Sequence, residues 1–255
     1  MVAKLSVENL TVGLGSGVVL LNDMSFDLAP GERVGLVGAS GCGKSLTAGA
    51  LCGLLRPPLS VLGGAVRIDG QEVLGLPQTD WRQIRGKRIF QIFQSPGTAL
   101  TPARRVGPQL VETARCAGVA PEPAILEALR TVELDSQILR VFPYQLSGGM
   151  KQRILIAMAF ILRPDILIAD EPTTGLDVLT ERGILTALNA MAAETGATLL
   201  FISHDLRAVE AMAERTLVMQ AGRIVEDVAT AEIGASPAPA AQRLLEAART
   251  LQSAC

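Results

Sequence analysis

The chain has 255 residues, 49% hydrophobic, 19% charged and 3% aromatic, with a formal net charge of −2. That suits one compact domain with ample apolar material for a core, and it speaks against a nucleic-acid surface, which needs basic stripes and stacking rings. Cys42, Cys52, Cys116 and Cys255 form no C-x-x-C pair, so neither a disulfide framework nor a metal knuckle is expected, and a reducing cytosol fits.

The opening stretch "MVAKLSVENL" lacks a signal peptide's apolar core. Apolar runs such as Ile154 to Leu162 are too short to span a bilayer, so the chain is expected to be soluble and to need another component to hold it at a membrane. Leu5 to Val12 and Val18 to Leu28 alternate like strands, and Pro30-Gly31 marks a turn. "RVGLVG", Arg33 to Gly38, reads as a buried strand, followed by a glycine-rich loop and a helix to about Leu55 that Pro57-Pro58 breaks. "GGAVRIDG" reads as a strand bounded by glycines, and "RIFQIFQ", Arg88 to Gln94, as a further strand.

From about Ser95 to Leu162 the pattern turns helical, most clearly in "PEPAILEALRTVEL". After Pro164, "DILIAD" and "ATLLFISHD" read as strands flanking a helix from Val178 to Glu194. "RTLVMQAGRIVED" reads as a hairpin around Ala221-Gly222, and the tail from Ala235 is Ala- and Pro-rich, then helical. The expectation is an α/β chain with a parallel sheet covered on both faces, an N-terminal antiparallel β region and an inserted helical subdomain. The core comprises 1–94 and 163–230, the insertion 95–162 and the tail 231–255.

"GASGCGKS" fits the pattern G-x-x-x-x-G-K-[ST], with a strand before it and a helix after it, which places the chain among P-loop NTPases. Gly38, Ala39, Ser40, Gly41, Cys42 and Gly43 would bring backbone N–H groups onto the phosphates of ATP, at a helix N-terminus that adds partial positive charge. Lys44 would reach the β- and γ-phosphates, and the Ser45 hydroxyl would ligate Mg²⁺. "ILIADEP" places Asp170 and Glu171 at the C-terminal end of a buried strand, the edge where parallel sheets bind ligands. Asp170 there can hold Mg²⁺, and Glu171 can orient or deprotonate an attacking water. "LLFISHD" brings His204, the chain's sole histidine, to the same kind of edge, within reach of a γ-phosphate. Gln94 ends "RIFQIFQ", where its amide can ligate Mg²⁺ or the water; Gln91 is the less suitable glutamine, because Ser95-Pro96 after Gln94 starts the insertion.

A second phosphate-type segment follows in "QLSGGMKQR", Gln145 to Arg153. Read locally, Ser147 caps a helix that opens with glycines. The insertion carries it away from the chain's own phosphate loop, so it reads as half a site aimed at a nucleotide on a neighbour.

These residues in this order resemble the nucleotide-binding subunits of ATP-binding cassette (ABC) transporters, over about residues 4 to 232. "QLSGGMKQR" is similar to the family's signature motif, Gly175 to Asp177 to its D-loop and His204 to its switch histidine. "IFQSPGTALTP", "FPYQLSGGMKQRILIAMA" and "ADEPTTGLDV" are similar to the ATPases of bacterial peptide and nickel importers, short nickel-type members included. ATPases of carbon–phosphorus lyase (phosphonate) complexes, or another non-transport ABC ATPase, are the related alternatives.

The resemblance implies a sandwich of two ATPase subunits, the second a related chain or a copy of this one. Ser147, Gly148, Gly149, Gln152 and Asp177 of each would face the other's ATP. It further implies two transmembrane permease subunits, an external substrate-binding protein and a place on the cytoplasmic face of the bacterial inner membrane. Many family members stack an aromatic residue on adenine, upstream of the phosphate loop. "VGLGSGVVL" has none, which leaves Leu14 or Val18 for the base and predicts weak base selectivity.

Overall fold

The computed structural model describes residues 3–236 and Gln242, so the expected helical tail falls almost wholly outside the described residues. The elements in chain order are β1 Leu5–Leu14, β2 Val19–Leu28, β3 Arg33–Gly38, α1 Lys44–Leu51, β4 Leu59–Ile68, β5 Gln71–Glu72 and α2 Gln78–Ile84. There follow β6 Ile89–Ile92, α3 Pro96–Ala99, α4 Val106–Ala117, α5 Pro121–Thr131, α6 Gly148–Leu162, β7 Ile166–Asp170 and α7 Val178–Thr195. The chain closes with β8 Thr198–Ser203, α8 Leu206–Met212, β9 Arg215–Gln220 and β10 Arg223–Ala229. It forms two compact units, one from 1–81 with 198–255 and the other from 82–197.

In the first unit, β1 pairs antiparallel with both β2 and β4, and β5 extends β4. Leu5, Val7, Leu10 and Val12 of β1 are buried with Leu21, Met24, Phe26 and Leu28 of β2. A second set of strands has β3 parallel to both β8 and β9, with β10 antiparallel to β9. β8 is buried throughout, and β3 from its second residue on, so both read as unbroken apolar runs, as strands covered on both faces do. β9 and β10 meet through Ala221 and Gly222, both at positive φ (47 and 76). That is the twist a two-residue hairpin turn demands. Arg215 fastens this hairpin: its guanidinium forks onto Asp227 at 2.6 Å and donates to Glu32 and to the Asp27 carbonyl.

In the second unit, β6 and β7 run parallel, and α6 is the central helix. Residues Ile154 to Ile161 of α6 are buried apart from Met158, as expected of a helix apolar all round. The amphipathic helices α4 and α5 pack on it through Val106, Leu110, Ala114 and Ile125, Ala128, Leu129 at helical spacing. α5 starts on Pro121 with Glu122 in its first turn and ends near Arg130, in the sense the helix dipole favours.

Several boundaries differ from the sequence expectation. α1 stops at Leu51, four residues short of Leu55, because Leu54 N–H turns back to the Gly49 carbonyl and closes a Schellman turn. β4 begins at Leu59 rather than at the glycines, since its partner β1 carries the ladder as far as Leu14 opposite Leu59. β6 ends at Ile92 opposite Ala169, so Gln94 stands two residues beyond the strand instead of ending it. β5, α2 and α8 have no counterpart in the sequence reading; each has seven residues or fewer, too few to display a period.

Candidate nucleotide-binding site

In the first unit the phosphate loop joins the end of β3 to the start of α1. Gly43 has φ 112, and a Cβ there would lie 2.6 Å from Leu21 Cδ2 and 2.8 Å from Met219 Cε. Only glycine satisfies both the conformation and the space. Gly38 is pressed as closely, against the Met219 carbonyl and Cys42 Sγ. The loop is held from behind: Gly222 N–H donates to the Cys42 carbonyl and Cys42 N–H to the Ala39 carbonyl. Its outer residues Ala39, Ser40, Gly41 and Ser45 are exposed.

Lys44 is 4% exposed, and its ammonium donates to the Gly38 carbonyl at 2.8 Å and the Ala39 carbonyl at 3.2 Å. The charge is thus stored inside a loop whose exposed residues are small, and such a glycine-rich turn at a helix start fits nucleotide phosphates. β8 runs parallel to β3 with Ser203 opposite Val37, so His204, exposed, leaves the sheet at the same edge as Gly38. Asp205 caps α8 and accepts from Arg207 N–H, Nε and Nη2. Burial pushes its pKa up, and the bonds from Arg207 outweigh that and hold it below the usual carboxylate range. Val18 is half exposed on the turn before β2, and Leu14 N–H donates to its carbonyl.

In the second unit, strand register accounts for the acidic site. Ile92 pairs with Ala169, so Gln94 and Glu171, each two residues further on, meet beyond the strand ends. Gln94 Nε2 donates to Glu171 Oε2 at 3.1 Å, and Thr174 Oγ1 donates to the same oxygen at 2.9 Å. Asp170, the last residue of β7, is 3% exposed, whereas Glu171 turns outward at φ 46. A left-handed conformation at a residue other than glycine is a strained position, of the kind that clusters at active sites. Within this unit the Asp170 carboxylate and the Gln94 amide oxygen are hard donors of the kind that suits Mg²⁺, which is held by one or two carboxylates and completes its shell with phosphate and water.

The third element is the start of α6. Ser147, exposed, caps the helix by accepting from Met150 N–H at 3.2 Å, and its own O–H proton remains available as a donor. Gly149 is buried because α7 comes close: a Cβ there would lie 2.3 Å from Thr180 Cγ2. Thr180 in turn donates through N and Oγ1 to Asp177, the cap of α7, at 3.0 and 2.7 Å. These two bonds hold the Asp177 carboxyl below the usual range.

Gln152 is 1% exposed, and its Nε2 has no hydrogen-bond partner among the described residues. Gln91 is likewise buried, with its Oε1 without a partner. Sequence reasoning overlooked Thr174 and Thr180. Their signals were the three-residue spacings Glu171–Thr174 and Asp177–Thr180, each at a turn.

A strand–glycine loop–helix cradle and an acidic strand end carrying a glutamine-bound carboxylate define a nucleotide-hydrolysing P-loop protein. A model of the ABC transporter family matches residues 21–174, and the chain belongs to that family as an ATPase cassette. Among its relatives is the oligopeptide transport ATP-binding protein OppD of Escherichia coli, 40% identical over 88% of this chain and 69% of its own length. The dipeptide transport ATP-binding protein DppD of Bacillus subtilis is 42% identical over 87% and 69%. The peptidoglycan transport ATP-binding protein YejF of Agrobacterium fabrum is 41% identical over 96% of this chain but 46% of its own length, so the chain spans less than half of that protein. The solved cassette MJ0796, dimeric in a post-hydrolysis state with ADP and Pi, shares the fold with a TM-score of 0.78 and 26% identity, covering 89% of this chain and 98% of that one.

Proposed function

We propose that the chain hydrolyses ATP to energise a bacterial importer of the peptide/nickel class, and that its cargo is a small peptide. The observation that carries this reading is the 40% identity to OppD across 88% of the chain; the relatives' names favour peptide over nickel or metal-chelate uptake. The phosphates would settle on the N–H groups of the phosphate loop, and Lys44 would swing from its own carbonyls onto the β- and γ-oxygens. Ser45, Gln94 and Asp170 would hold Mg²⁺, which would supply positive charge to offset that of the phosphates. Glu171 accepts the proton of the water that attacks the γ-phosphorus as the bond to ADP breaks, and His204 donates to the γ-phosphate.

Ser147, Gly148, Gly149 and Asp177 would face the nucleotide of a second cassette, so that ATP favours a closed pair over an open one. Two permease subunits and an external binding protein complete the assembly, with this chain on the cytoplasmic side. Among the described residues no helix is long and apolar enough to cross a membrane. With no aromatic residue in residues 12–20 and Val18 exposed there, base selectivity would be weak.

Replacing Glu171 by Gln is expected to leave ATP affinity within about twofold and to lower turnover by at least ~100-fold, the scale of a general base. Unchanged hydrolysis by that variant rejects the assignment. Cells whose sole copy is E171Q should lose uptake of a labelled tripeptide and retain uptake of Ni²⁺; loss of Ni²⁺ uptake alone rejects the peptide cargo.

A further inference from the structure

The Glu171 carboxylate is held by a residue that the sequence reading passes over. Thr174 grips Glu171 twice. Its N–H donates to the Glu171 carbonyl at 3.3 Å, closing a four-residue turn, and its Oγ1 donates to Glu171 Oε2 at 2.9 Å. The turn carries the left-handed Glu171 (φ 46) and the buried Pro172, which has no N–H with which to support it. Gln94 reaches the same carboxylate oxygen from beyond β6. Two donors from different elements converging on one oxygen fix the carboxylate's direction more firmly than either does alone, because a glutamate otherwise has three side-chain torsions to sample.

We propose that Thr174 is a positioning residue for hydrolysis: its hydroxyl orients the Glu171 carboxylate, so that the group meets the attacking water already aligned. The inference rests on the reading of Glu171 as the base. Gln94, if drawn to a metal ion during the cycle, leaves Oε2, and Thr174 is then the donor that keeps the carboxylate in place. Thr174 is exposed at a loop, so its side chain can change without disturbing a core, and valine retains the backbone bond while replacing the hydroxyl with a methyl group of similar size.

Steady-state ATP hydrolysis is to be measured on the 255-residue chain at concentrations where its specific rate has levelled off, for the parent chain, Thr174→Val, Thr174→Ser and Glu171→Gln. Thr174→Val should lower kcat about tenfold, the scale of a hydrogen bond to a charged group, with KM and ATP affinity unchanged. Thr174→Ser should restore kcat to within about twofold, because it returns the donor without the methyl group. A Thr174→Val enzyme with parental kcat, beside an inactive Glu171→Gln, overturns the positioning role and leaves the base assignment standing. Parental turnover by Glu171→Gln overturns both. Loss of ATP affinity in Thr174→Val, or failure of serine to rescue it, marks the residue as structural and also overturns the proposal.

Discussion

Gly38–Ser45 and Ser147–Gly149 both set serine and glycine at the start of a helix, yet glycine does different work in each. In the phosphate loop it meets a conformational demand: Gly43 sits at φ 112 against Leu21 and Met219, and the loop keeps its lysine folded onto its own carbonyls. At the start of α6 the demand is proximity. Gly149 lies inside a helix at ordinary dihedrals, and it is glycine because Thr180 stands where a Cβ would be. One loop is shaped by its own backbone conformation; the other is shaped around its neighbouring helix and leaves Ser147 exposed at the tip. Nor are Gly149 and Asp177 independent, because Thr180 crowds the first and donates to the capping carboxylate of the second.

The sharpest way to separate the two motifs is charge. Lys44→Ala should reduce ATP affinity of the isolated chain roughly 10- to 100-fold, the range for a lost charge-assisted contact. Equilibrium binding of a fluorescent ATP analogue reads this directly, and undiminished affinity would contradict the phosphate-loop assignment. The motif at α6 should respond through packing instead. Gly149→Ala should cost about 1–3 kcal/mol in denaturant unfolding, as overpacking does, while ATP affinity of the isolated chain stays put. Adding Thr180→Ser removes the obstructing methyl and retains the hydroxyl, so the double variant should recover most of that loss; a purely additive outcome would show that the two residues do not press on one another.

The smallest effect concerns the cap of α7. The Asp177 carboxyl is held below the usual range by the Thr180 hydroxyl and N–H. A lowered folded-state pKa means that this stabilisation is fully present above the unfolded value of ~3.9 and is lost as pH falls through the lower folded value. Asp177→Ala should therefore lower the melting temperature at pH 7, and its gap from the parent should narrow below about pH 4. A gap independent of pH across that window would remove the charged cap from the account.

Local chemistry was readable from the sequence because it depends on neighbours in the chain. The strand before Gly38, the pattern ending in Lys44-Ser45, the carboxylates after an apolar run and the serine cap of α6 are all contiguous, and the hairpin at Ala221-Gly222 follows from turn chemistry. Less legible were the short elements α2 and α8, the early stop of α1 and the true start of β4, where a hydrogen-bonded turn or a distant partner strand sets the boundary.

Tertiary structure alone decided which of these residues meet. The register of β6 against β7 brings Gln94 onto Glu171, residues separated by the whole helical insertion. Packing of α7 on α6 turns Gly149 into a requirement, because Thr180 stands where its Cβ would be. The physical reason is range. Dihedral preferences, caps and turn bonds act within a few residues and are written into adjacent letters. Steric exclusion and side-chain hydrogen bonds act between atoms a few ångströms apart in space, whatever their separation along the chain.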